Sequence, residues 1–407
     1  KITEMGKSMK YDFTTFLDRR GKDSMAADDN PVSGAEVRED FTRLPMWVAD
    51  MNFRVFPAIQ EHMTARIAHP VFGYFHISDE YYDSIINWQK KRNQVQNLSR
   101  EAIGYENGVL GCVASALQAF TAPGESVLVH APTYIGFTNT LTTNGRNIVL
   151  SHLAKDAEGI WRMNYEDMEQ KIQKNNIHLA IFCSPHNPSG RVWERQEIEA
   201  AMDVYRRNNC IVISDEIWSD LILEGQHHIP TQSISEDARN RTIAVYAPSK
   251  TFNLAGLIGS YHIVYHPYLR DRLRRQSSLS HYNSINVLSM HALIGAYQPE
   301  GHVWVDELRS VLTENARYAY GFIRENFHGV DLAMPQGTYM LFLDCGEWCR
   351  KRGCSMDELL RAGIEVGVIW QDGRPFHHPW AIRMNLALPH EQVKEAMERL
   401  KKYVFCS

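Results

Sequence analysis

Long hydrophobic runs are missing from this chain. No apolar stretch approaches the roughly 20 residues a helix needs to cross a bilayer, and residues 1–10 lack the apolar core of a secretory signal. Cysteine is sparse: the seven present are odd in number and scattered, which argues against a disulfide framework and fits reduced thiols in a cytoplasmic protein. Their one cluster, Cys345, Cys349 and Cys354, has no paired CxxC spacing and no close histidine, so no metal is expected there. Positive charge is not in excess. With 43 Lys and Arg against 48 Asp and Glu, the formal net charge of −5 gives no footing for nucleic acid or an anionic membrane. The local basic group Arg270, Arg272, Arg274 and Arg275 is expected to be a solvated helix face. Internal repeats, low-complexity tracts and long linkers are absent as well.

What is there is an ordinary globular composition, 44% hydrophobic and 22% charged over 407 residues, enough for a large domain with a smaller one attached. From about residue 105 to 265, short apolar runs alternate with amphipathic segments. Val127–His130, Leu179–Phe182, Ile211–Ser214, Ile243–Tyr246 and His262–Tyr265 read as buried strands, and Glu194–Asn208 reads as a helix between two of them. This alternation predicts an α/β fold, a mainly parallel sheet flanked by helices. The later chain changes character: a long helix over Trp304–Glu325, strands at Asp331–Met334, Met340–Asp344 and Ala381–Leu386, and a closing helix over Glu391–Tyr403. We therefore expect a large domain at 55–300 and a smaller α+β domain built from 1–54 and 301–407.

In open α/β sheets, ligands sit at the carboxyl ends of the strands, and three such ends carry distinctive groups. Lys250 lies in Ala247-Pro248-Ser249-Lys250-Thr251, Asp215 in Ser214-Asp215-Glu216, and Asn187 in Ser184-Pro185-His186-Asn187-Pro188. An amine to bind an aldehyde, a carboxylate for a ring nitrogen and an amide for a ring oxygen together fit pyridoxal 5'-phosphate (PLP). Each has a plainer reading: a surface charge, a helix N-cap and a turn. Tyr134 follows the Val127–His130 strand and could stack on the ring, or be core. The small-residue segment Gly108–Leu117, opening a helix, suits a phosphate. Arg383 interrupts an apolar strand and could clamp a carboxylate, or form an ion pair. The doubled histidines His227-His228 and His377-His378 read as loop residues.

In this order the motifs resemble those of the fold-type-I PLP enzymes, over nearly the whole chain. More narrowly the chain is similar to the cystathionine β-lyase (carbon–sulfur β-lyase) branch of the class I/II aminotransferase family. The likeness rests on Leu44-Pro45-Met46-Trp47-Val48-Ala49-Asp50-Met51-Asn52-Phe53, with Asn52 where that branch has Asp, on Phe72-Gly73-Tyr74 followed by Glu80-Tyr81-Tyr82, and on Gly337-Thr338-Tyr339. The resemblance implies Lys250 as the cofactor and proton-transfer lysine, Asp215 at the pyridine nitrogen, Asn187 at the ring oxygen and Tyr134 stacked on the ring. It also implies Arg383, with Asn187, at the substrate carboxylate, and Ser249 and Trp218 beside the cofactor. The amides of Val113 and Ala114 would meet its phosphate, as would Tyr74 from a neighbouring subunit of a homodimer. Two departures separate the branches: Ile258 stands where most aminotransferases of the family carry an arginine, and Trp218 where they carry a tyrosine. The expected activity is α,β-elimination from L-cystathionine or related S-substituted cysteines to pyruvate, ammonia and a thiol. The alternatives are an aminotransferase, or a regulatory protein on the same scaffold, although no DNA-binding domain is appended.

Overall fold

The computed structural model describes residues 9–280 and 283–406; residues 1–8, most of the stretch read above for a signal sequence, lie outside the described residues. Seven strands form the central sheet: β1 (Ile103–Glu106), β2 (Ser126–Ala131), β3 (Asn147–His152), β4 (Leu179–Cys183), β5 (Ile211–Asp215), β6 (Thr242–Tyr246) and β7 (Ser260–Ile263). Their order is β1-β7-β6-β5-β4-β2-β3. Strands β2 to β6 pair in parallel, whereas β7 runs antiparallel to both β6 and β1.

Burial explains why β4 and β6 read as unbroken apolar runs: every residue in each is buried, as a parallel sheet covered on both faces requires. Successive side chains point to opposite faces. Thus Ile181, Ile213 and Val245 join a core with Cys112, Val113 and Leu117 of the helix Gly108–Phe120, which we call α1. Their neighbours Phe182 and Val212 join another with Ile198 and Met202 of the helix Arg195–Arg207. That second helix begins with a reciprocal capping box between Glu194 and Glu197.

A second, antiparallel sheet holds β8 (Asp331–Leu332), β9 (Met340–Asp344), β10 (Gln371–Asp372) and β11 (Ala381–Asn385) in the order β8-β9-β11-β10. The helices Pro299–Asn326 and His390–Tyr403 pack on each other and share one hydrophobic core with this sheet's Leu341, Leu343, Ile382 and Met384. Near the N-terminus, Leu44–Pro45 pairs in parallel with Val368–Ile369.

Two expectations need correction. The strand read at His262–Tyr265 is Ser260–Ile263, because the helix Pro267–Ser280 begins just beyond and ends the pairing. The basic group on that helix is only partly solvated: Arg270 is buried against Glu101 at 2.7 Å, and Arg272 donates to the Ala119 carbonyl at 2.6 Å. Among the described residues, no helix is long and apolar enough to cross a membrane.

Candidate active site

The strand ends bring the expected groups together. Asp215 is the last residue of β5, and Asn187 lies four residues beyond β4. Tyr134 follows β2 by three residues, and Lys250 follows β6 by four, on a short helical turn opened by Pro248. Tyr134, Asn187, Asp215, Trp218, Ser249 and Lys250 line one cavity of about 300 Å³.

Its electrostatics follow from burial. The Lys250 Nζ donates to the Ala49 carbonyl at 2.9 Å and lies 5.7 Å from the Trp218 ring centre. Burial brings its pKa down to about 8; Arg383 pushes the same way, and Asp50 and Asp215 oppose. Burial raises the Asp215 carboxyl to about 7, against the amide of Ile217, which donates to Oδ1 at 3.1 Å. No described residue hydrogen-bonds Oδ2 of Asp215. Arg383, on β11, donates to Asn187 Oδ1 at 3.2 Å, to the Trp47 carbonyl at 3.1 Å and to Gln371 Oε1 at 2.5 Å. Its Nε is buried without a partner, and burial lowers its pKa to about 10. A guanidinium held this way, with one donor unspent, is ready for an anion.

Within the segment Gly108–Leu117, the amides differ in what they have left to offer. Val113 and Ala114 lie in the second turn of α1, where their amides are used within the helix. The free donors are those of the first turn, and Gly108, Val109 and Leu110 there line the cavity, with Gly108 at φ +76°. The Asn107 amide just ahead is already spent on Asn283 Oδ1 at 2.7 Å.

Tyr74 does not join this cavity; it is fully exposed on a stretch that also bares Val71 and Phe72. Trp218 is buried and packs edge-on against Tyr339, with ring centres 4.7 Å apart, so it forms a wall and offers no hydroxyl to the cavity. Ile258 lines the cavity where most aminotransferases of the family would place a guanidinium.

Several contributors escaped the sequence reading. Glu216 is fully buried and accepts from Tyr246 at 2.7 Å, from the Thr231 amide at 3.1 Å and, through Oε2, meets His228 at 2.8 Å. His228 is on a loop as expected, but its side chain is buried in this pair. The backbone of 47–51, read only as part of a family motif, supplies carbonyls to both Lys250 and Arg383. Nothing in side-chain chemistry signals a carbonyl's role. An asparagine three residues after the lysine could have prompted the question.

Comparison with known proteins identifies the family. The profile of the aminotransferase class I and II family matches residues 51–400. Cystathionine β-lyase PatB of Bacillus subtilis (strain 168) is 32% identical over 361 residues, covering 88% of this chain and 92% of the relative. Protein MalY of Escherichia coli (strain K12) is 29% identical, covering 96% and 98%. The crystal structure of cystalysin from Treponema denticola, which contains a PLP cofactor, superposes with a TM-score of 0.87 at 30% identity, covering 97% of this chain and 98% of that one. This chain belongs to the aminotransferase class I and II family.

Proposed function

We propose that this protein is a PLP-dependent carbon–sulfur β-lyase, cleaving L-cystathionine or related S-substituted cysteines to pyruvate, ammonia and a thiol. The observation that carries the reading is one cavity lined by a buried amine, a buried carboxyl and the first amides of a helix, with Arg383 behind it, bonded to the Asn187 that lines it. That donor set fits PLP: the carboxyl at Asp215 is costly to ionise alone and is relieved by a protonated ring nitrogen. Lys250 would hold the aldehyde carbon, Asn187 the ring oxygen and Tyr134 the ring face. The amides of Gly108–Leu110, with Ser249 and Tyr74 of a second copy, would hold the phosphate. When bound, PLP supplies the electron sink that stabilises negative charge at the substrate Cα.

The protein's own residues do the rest. Arg383 and Asn187 orient the substrate through its α-carboxylate. With its pKa near 8, the freed amine of Lys250 is partly neutral near pH 7 and can take the Cα proton. The same group, then protonated, can return a proton as the C–S bond breaks and the sulfur leaves. Trp218 and Ile217 keep water from one side of the cavity. The reading includes a homodimer, supported by the bared Val71, Phe72 and Tyr74. It also includes domains at 55–300 and at 1–54 with 301–407, supported by the pairing of Leu44–Pro45 with Val368–Ile369.

The test is incubation of the PLP-loaded protein with L-cystathionine, with and without a 2-oxo acid. Pyruvate and thiol in equal amounts without an acceptor are expected. A strict acceptor requirement would contradict elimination and favour transamination.

A further inference from the structure

We propose that Asn253 and Asn385 are positioning residues that clamp segment 47–51, so that the Ala49 carbonyl anchors the freed amine of Lys250 during proton transfer. This rests on Lys250 being the proton-transfer group, and not on which bond at Cβ is broken.

The segment is held from both sides. Asn253, three residues beyond Lys250 on the same loop, accepts the Met51 amide at 2.9 Å and donates to the Met51 carbonyl at 2.8 Å. It thus pairs with one residue's backbone as a neighbouring strand would. Its φ of +59° is a left-handed conformation that asparagine tolerates and β-branched residues do not. On the other side Asn385, two residues past Arg383, donates to the Val48 carbonyl at 2.7 Å and the Asp50 carbonyl at 2.5 Å, while its own oxygen accepts the Ala387 amide at 2.7 Å. Arg19 adds a two-pronged ion pair to Asp50, at 3.0 and 2.5 Å. Between these fixings, Trp47 presents its carbonyl to Arg383 at 3.1 Å and Ala49 presents its carbonyl to Lys250 at 2.9 Å.

A carbonyl only accepts, which suits a group that cycles between amine and ammonium. Neutral Lys250 gives one N–H to Ala49 and leaves its lone pair free. On taking the Cα proton it becomes ammonium and keeps the same anchor. The proton passes from carbon to nitrogen and on to its acceptor, the leaving sulfur in elimination or Cα in simple exchange, without the side chain having to find a new partner. Placement errors of about 1 Å can cost such a step about 100-fold, and this segment contacts the base and the substrate-binding arginine together.

The test uses PLP-loaded Asn253→Gly, which keeps the left-handed backbone and deletes the amide. Two quantities are compared with wild type. One is hydrogen exchange across Met51 by mass spectrometry; the other is loss of the Cα proton of L-alanine in D2O by NMR, a substrate with no leaving group. Faster exchange at Met51, alanine exchange slowed by about tenfold or more, and an unaltered cofactor Kd are expected. Unchanged protection at Met51 overturns the clamp, and a loosened segment with wild-type alanine exchange overturns its role in proton transfer. Should Asn253→Gly fail to fold, Asn385→Ala, which deletes the donors to the Val48 and Asp50 carbonyls, is read by the same two quantities. Alanine exchange by wild type without pyruvate from any cysteine conjugate would sink the lyase reading alone. No exchange in wild type would overturn both.

Discussion

Replacing Asp215 by Asn should stabilise the cofactor-free protein and weaken its hold on PLP. The carboxyl is 4% exposed, and burial lifts it from the ordinary 3.8 to about 7. A carboxyl with a raised folded-state pKa binds its proton more tightly folded than unfolded. Its ionisation therefore costs nothing below pH 4, a growing amount between pH 4 and 7, and a constant amount above. The displacement corresponds to about 4 kcal/mol at pH 8 and about 1.5 kcal/mol at pH 5. Asparagine removes that cost and still offers an oxygen to the Ile217 amide, whose bond to Asp215 is 3.1 Å long. For a chain of this length, about 4 kcal/mol is a rise of about 5 °C in thermal midpoint. Differential scanning fluorimetry of both cofactor-free proteins, from pH 5 to 8, should show the gap opening as pH rises. With PLP bound the order should reverse, because only the carboxylate can pair with a protonated ring nitrogen. A variant no more stable than wild type at pH 8, or a gap independent of pH, would refute the reasoning.

Two further outcomes follow from the same geometry. Arg383→Ala removes a buried guanidinium with an unspent Nε and should lower kcat/KM by about 10–100-fold, the worth of a charge-assisted hydrogen bond, while the PLP content measured by absorbance stays near wild type. If Tyr74 serves the neighbouring copy's site, Tyr74→Ala and Lys250→Ala proteins, each nearly inactive, should regain about a quarter of wild-type activity when unfolded together and refolded as mixed dimers. No recovery would place Tyr74 outside the shared site.

Much of the large sheet is legible in the sequence, because β4 and β6 are buried along their whole length and β5 opens on Ile211-Val212-Ile213, so each spells a short apolar run. The reading was weaker at the edges. Asn147–His152 and Ile103–Glu106, both edge strands, carry mixed burial and gave no such signal. Lys250, Asp215 and Asn187 were legible because rare groups follow strand ends, where the chain's direction alone decides what converges. The segment Gly108–Leu117 was legible as a helix opening, but which of its amides stay free depends on where the helix starts, and that start, at Gly108 with its φ of +76°, leaves Val113 and Ala114 inside the helix. Segment 47–51 was recognised as a pattern, but its contribution is made by carbonyls, which every residue has. Only packing against Asn253 and Asn385 reveals it.

Borohydride reduction of the PLP-loaded protein, followed by peptide mass spectrometry, tests most directly whether Lys250 is the residue that holds the cofactor. The reduced cofactor's mass on the peptide containing Lys250 is the expected result. The same mass on a different lysine, or on none, would contradict it.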